Sequence, residues 1–188
     1  GSKPTGVHNG TIDISSAHFE VKDGAISSGK VVVDMNSIKV LDMDEDGNSK
    51  LGSHLRDGDF FETNTYPTAT FEFIEINQKE FWSVEGSDTL IRGYWGLEGN
   101  LSIKDSVKKV FLILPQKEAV NSEGVKYVDE NSINMTVNDS VIILETDSFS
   151  IDRTQWGITY KSNSVFSDLG EKFIHDNIGL RIKIKATR

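Results

Sequence analysis

The chain has 188 residues, with 20 Lys and Arg against 29 Asp and Glu, for a formal charge of −9. At about 150 residues per domain this predicts one domain, residues 1–188, large enough to bury a core without metals or disulfides. The absence of cysteine excludes disulfides, zinc–thiolate sites, iron–sulfur clusters and thiol nucleophiles. The acidic balance argues against nucleic acid, which is held by Lys and Arg at phosphates, and no apolar run approaches the roughly 20 residues of a transmembrane helix.

Apolar residues recur mostly with period two, the signature of strands with one buried face. Ile12 and Ile14 alternate with Thr11 and Asp13, and Phe19 and Val21 lead into Asp23-Gly24, a favoured hairpin turn. Val31, Val33 and Met35 form the next set, then Ala69, Phe71 and Phe73, then Leu97, Gly99, Leu101 and Ile103. Val110 to Leu114 is continuously apolar and predicts a buried strand, followed by Phe149 and Ile151. In the last strand Ile178, Leu180, Ile182, Ile184 and Ala186 face one way, with Arg181, Lys183 and Lys185 on the wet face. Only Lys50 to Phe61 and Leu169 to Asp176 predict helical turns. Short strands with turn residues between them point to an antiparallel sandwich or barrel.

Candidate sites are few. Asp42, Asp44 and Asp46 with Gly47 form the first half of a calcium loop, but its twelfth position is Ser53 rather than a bidentate Glu. The competing reading is an acidic surface turn. His8, His18, His54 and His175 form no closely spaced pair, so no metal signature is present. A His-Asp pairing at His54, Asp57 or Asp59 lacks a nucleophile elbow, and a structural hydrogen-bonding role for His54 and Arg56 is the expectation. No motif points to a glycosidase carboxylate pair. The aromatics, Phe19, Phe60, Phe61, Phe71, Phe73, Phe111, Phe149 and Trp156 among them, serve either an ordinary core or the wall of a barrel cavity holding one small ligand.

Three blocks carry a resemblance. Ser37-Ile38, then His54-Leu55-Arg56-Asp57-Gly58-Asp59-Phe60-Phe61, then Tyr66-Pro67-Thr68-Ala69-Thr70-Phe71 resemble the YceI-like family. Gly99 to Lys104 and Ile151 to Gly157 agree with its later blocks, and the start at Lys3 to Ile12 with Ser164 to Gly170 resembles a Bacteroidetes-type subgroup. The resemblance implies an all-β fold, an eight-stranded antiparallel lipocalin-like barrel with one or two short helical turns. It implies no enzyme chemistry, no metal and no cofactor. It implies instead binding or transport of a long apolar lipid, a polyisoprenoid or isoprenoid quinone, in a periplasmic or secreted protein. With strand parity, it assigns the cavity wall to Phe71, Phe73, Leu101, Ile103, Phe111, Ile113, Phe149 and Ile151.

The rival is a β-sandwich binding module for polysaccharide or protein surfaces, with Trp82 and Trp95 as its exposed aromatics. Two departures from the family pattern are the segment Asn121 to Ser140 and the turn Asp105-Ser106-Val107. A third is a missing leading extended segment. It predicts a short first strand and an incomplete seam against the last strand, left either as a gap in the wall or covered in a homodimer.

Overall fold

The computed structural model describes residues 6–187 apart from 24, 86–87, 115, 121–125, 134, 138–140 and 171. It gives backbone alone for 25, 78–85, 88–94, 116–120, 126–133 and 135–136. The described strand segments form eight extended runs. They begin with β1 (Gly10–Lys22) and β2 (Ala25–Val40), continue after helix α1 (Glu45–Arg56) with β3 (Thr68–Glu85) and β4 (Asp88–Ile103), and reach β5 (Ser106–Ile113). The last four runs are each interrupted. β5 is followed by β6 (Gln116–Val120), β7 (Lys126–Ile133) by β8 (Met135–Val137), β9 (Val141–Glu145) by β10 (Phe149–Asp152), and β11 (Asn177–Leu180) by β12 (Lys183–Thr187).

Every ladder between these strands is antiparallel. β1 to β5 pair in chain order, β6 pairs β7, β9 lies between β8 and β12, and β10 pairs β11. The fold is all-β, with strands as the alternating pattern predicts. The closed barrel is not reached. Among the described residues, no ladder joins β1 to β11 or β12. β1 is 13 residues long, not the short first strand expected. It spends its length on β2, with three register shifts, at Thr11/Asp13, Ile14/Ser16 and Glu20/Val21. Such bulges add twist at an edge.

Bulges also explain where simple alternation fails. The shift at Thr11/Asp13 turns Ile12 outward, 37% exposed, although its spacing matches Ile14. Ile74, 70% exposed, faces out beside the inward Phe73, and the shift between Phe73 and Glu75 brings Ile76, of the same parity, inward. A one-residue slip moves every later side chain to the other face. Gly99 sits opposite Phe73 beside that bulge, where a Cβ would stand 2.3 Å from the Glu72 carbonyl oxygen, so the two backbones approach there only because residue 99 has no side chain.

The helix begins earlier than Lys50. Asp44 caps it, its Oδ1 accepting from the Gly47 N–H at 2.7 Å, and Glu45 and Asp46 in the first turn favour the positive end of the helix dipole. Asp46 also meets Lys50 one turn on, at 2.6 Å. The second predicted helical turn, Leu169 to Asp176, is not helical. It runs as turns with one bridge between Ile174 and Ser162. A 3-10 turn forms instead at Arg153–Trp156, closed by Gly157 at φ 73°. Gly24 of the predicted Asp23-Gly24 turn lies outside the described residues, but Asp23 has a positive φ of 53° and Lys22 pairs with Ala25.

The interior holds two apolar clusters. One gathers Val31, Phe71, Phe73, Leu97, Leu112, Leu144 and Ile184. The other gathers Met35, Ile38, Phe60, Ala69, Ile103, Ile151, Trp156 and Ile158. Leu101, Val110 and Phe149 pack against both, which makes one continuous apolar interior.

Candidate functional site

Six of the eight residues expected to line a cavity point into this interior. Phe71 and Phe73 come from β3, Leu101 and Ile103 from β4, and Phe149 and Ile151 from β10. Phe71 and Phe73 stack with ring centroids 6.0 Å apart, and Phe19 of β1 leans on Phe73 at 6.2 Å. Phe111 and Ile113 do not join them. β5 turns Val110 and Leu112 inward with the following Leu114, while Phe111 and Ile113 belong to neither cluster. The Phe111 ring lies over Gly96, where a Cβ would stand 2.5 Å from Cζ. It faces Glu98 across the ladder, and Glu98 in turn pairs with Lys109. That bond raises the Lys109 pKa above its ordinary value. The parity error has a plain origin: five consecutive apolar residues carry no alternation from which to choose a face.

One end of this interior is capped. Where β2 ends, β3 begins and β4 ends, the turn after α1 seats Phe60 and residues 153–158 seat Trp156 and Ile158 on the second cluster. The Trp156 indole donates to the Leu101 carbonyl at 3.1 Å. Arg153, 1% exposed, donates from Nη1 to the Ile158 carbonyl at 2.7 Å, from Nη2 to that of Ile174 at 3.0 Å, and from Nε to that of His175 at 3.2 Å. Its guanidinium also lies 3.3 Å from the Asp176 carboxylate and 5.6 Å from the Phe60 ring centroid. Burial lowers the Arg153 pKa, against the opposing pull of Asp176 and Asp152. For Asp176, burial pushes the carboxyl up, but hydrogen bonds from Ser164 and Ser162 and the charge of Arg153 leave it below its ordinary value.

The block from His54 to Phe61 belongs to this cap. Arg56 Nη1 donates to the Ile38 carbonyl at 2.7 Å, the backbone partner that its five fixed donors suit. His54 Nδ1 meets Asp57 Oδ2 at 2.9 Å, and its ring is edge-on to Phe60 and Tyr160. The hydrogen bond to His54 holds the Asp57 carboxyl below its ordinary value. His54, Asp57 and Asp59 offer ligand atoms within 4.8 Å of one another, a juxtaposition that sequence spacing alone does not show. Asp57 and Asp59 are exposed, and Asp57 Oδ1 is already engaged by the Asp59 N–H.

The acidic loop is used by the fold. Asp42 accepts from the Asn9 N–H and pairs with His8, Asp44 caps α1, and Asp46 pairs with Lys50. Two recesses of about 240 Å³ flank α1. Asn36, Ser53, Arg56, Asp57, Thr63 and Asn64 line one of them, a polar surface unsuited to an apolar chain. For the rival surface-binding reading, the Trp82 side chain lies outside the described ones and Trp95 is half-buried rather than presented on a flat face.

A family model described as a YceI-like domain matches residues 3–186. Among solved structures, the Campylobacter jejuni YceI protein is similar over 100% of this chain and 90% of its own, at 17% identity and a TM-score of 0.54. A mutant CJ YceI protein with a monobromobimane guest has the same coverage, at 18% identity and a TM-score of 0.55. Burkholderia cenocepacia BcnA is similar over 92% of this chain and 83% of its own, at 16% identity and a TM-score of 0.55. At these identities the likeness is one of fold. No curated protein matches the chain.

Proposed function

The chain belongs to the YceI-like domain family, and on that premise we propose that its interior binds a long apolar lipid of polyisoprenoid or isoprenoid-quinone type, without chemistry, as a carrier or scavenger in the bacterial cell envelope. The observation that carries the reading is the continuity of the interior. Two apolar clusters meet through Leu101, Val110 and Phe149. An elongated apolar guest matches that path. No helix among the described residues is long and apolar enough to cross a membrane.

The energetics favour a long guest. Each buried carbon contributes about 0.8 kcal/mol, while association and ordering cost about 4 to 15 kcal/mol. Several isoprene units must therefore be enclosed before binding is tight. The wall is assigned to Phe71, Phe73, Leu101, Ile103, Phe149 and Ile151, with Val110 and Leu112 replacing Phe111 and Ile113.

Native mass spectrometry of gently purified protein, followed by organic extraction, tests this directly. A co-purifying isoprenoid, or uptake of geranylgeraniol at a one-to-one ratio, is expected. Protein free of lipid that also takes up neither geranylgeraniol nor a longer prenyl alcohol refutes the reading.

A further inference from the structure

We propose that the unpaired seam between β1 and the run β11–β12 is a lateral gate, with the Phe19 ring as its moving part, through which the wall parts to admit an apolar chain. This rests on the lipid reading above. It adds a route and a residue to it.

Both strands of the seam turn apolar side chains into the same cluster. β1 contributes Ile14, Ala17, Phe19 and Val21, and the β12 side contributes Ile182, Ile184 and Ala186. Yet no ladder joins the two strands among the described residues. The interior is therefore continuous across the seam while the backbone is not. On the β1 side all four residues are half-buried, whereas Ile184 on the β12 side is buried at 5% exposure, as are Phe73 on β3 at 2% and Leu97 on β4 at 1%. Among the described residues no ladder crosses the seam, so parting it there breaks no strand hydrogen bond. In a closed barrel it would break a whole ladder.

Phe19 stands at the edge of that opening. Its ring leans on Phe73 across Gly29, where a Cβ would lie 2.7 Å from both rings. The glycine thus keeps the lane between the rings clear. A swing of Phe19 away from Phe73 uncovers the stacked Phe71–Phe73 pair, which is the centre of the proposed wall. The capped end offers no comparable route, because Phe60, Trp156 and the Arg153 bonds fill it.

Stopped-flow binding of dansyl-labelled geranylgeraniol separates a gate from a wall. A gate residue changes association and dissociation together, whereas a wall residue changes affinity, chiefly through dissociation. Phe19→Ala is expected to raise both rate constants about tenfold and to leave Kd within about threefold. Phe19→Leu, which keeps most of the apolar volume, should move both rates in the same direction by less. Leu112→Ala on the far wall should speed dissociation only. Unchanged association in both Phe19 variants overturns the gate, as does a loss confined to affinity.

Hydrogen exchange of the wild-type protein tests the seam without any lipid. Peptides covering 10–22 and 177–187 should open through a local motion that 68–73 does not share. Equal protection in all three overturns the gate, and so does a concentration-dependent dimer that protects 10–22. If the wild-type protein binds no probe, the lipid reading falls on that result, and the exchange data decide the seam separately.

Discussion

Replacing Arg153 with Met should be among the most damaging single substitutions in the cap. The guanidinium is buried, satisfies three carbonyl groups, at Ile158, Ile174 and His175, and faces Asp176 at 3.3 Å. Met fills much of the volume but leaves those carbonyls without a donor and the carboxylate without its cation. Removing one partner of a buried pair costs about 3 to 5 kcal/mol. For a chain of this size that is a fall in Tm of roughly 10 °C. Arg153→Lys keeps a charge for Asp176, but one ammonium cannot span three carbonyls, so it should lose about half as much. The effect carries a pH signature. The Asp176 carboxyl lies below its ordinary value in the folded protein, so its stabilisation is present above the ordinary carboxylate pKa and is lost as pH falls through the folded value. The gap between wild type and Arg153→Met should therefore narrow in acid, below about pH 4. Urea unfolding from pH 3 to 7 measures both quantities. A cost under about 1 kcal/mol, the size of one ordinary hydrogen bond, or a gap that does not change with pH, refutes the reasoning.

Two further substitutions probe other parts of the structure. Arg56→Ala removes the bond to the Ile38 carbonyl and should cost about 1 to 2 kcal/mol while leaving prenyl-alcohol affinity nearly unchanged. The opposite ranking, read from thermal unfolding beside a binding titration, would place a head-group site at this block. Gly99→Ala pushes a Cβ into the Glu72 carbonyl and should cost about 2 kcal/mol or more through displacement of β3 from β4. A urea midpoint equal to that of wild type would show that the strands absorb the methyl group freely.

Much of this fold is legible from period two alone. The last strand reads well because Ile178 to Ala186 alternate without a break in parity, and all five apolar residues do reach the interior. What misleads is local. Ile12 is turned out by a bulge, which depends on how a neighbouring strand pairs and leaves no mark in the residue's own spacing. The helix is missed at its start because Glu45 to Arg56 has only Leu51 and Leu55 as large apolar residues, too few for a periodic stripe. Its true signal was the cap, Asp44 followed by two acids, which served equally well as half of a calcium loop. Arg153 was visible as a residue but not as a buried one. Burial of an arginine depends on carbonyls that the fold gathers from far along the chain, here residues 158, 174 and 175.

Stability and access are placed in different parts of the molecule. The cap is fixed by bonds that converge from several segments: Trp156 to Leu101, Arg153 to three carbonyls and Arg56 to Ile38. Moving any one of these strands a buried polar group, so this end resists opening. The seam has the opposite character. Its β1 residues are half-buried, no ladder joins its edges among the described residues, and the ion pairs of Arg181 and Lys183 with Glu145 tie β9 to its own neighbour rather than to β1. An apolar chain needs a path along which contacts can be exchanged one carbon at a time, without a polar group being stranded at any step. Of the two places, only the seam meets that condition, since sliding one apolar contact past another costs little while an unmade buried hydrogen bond costs about 1 to 3 kcal/mol. Substitutions in the cap should therefore register in unfolding midpoints with lipid exchange rates preserved, and substitutions at the seam in exchange rates with midpoints nearly preserved. A cap substitution that altered exchange rates as strongly as Phe19→Ala would break this division.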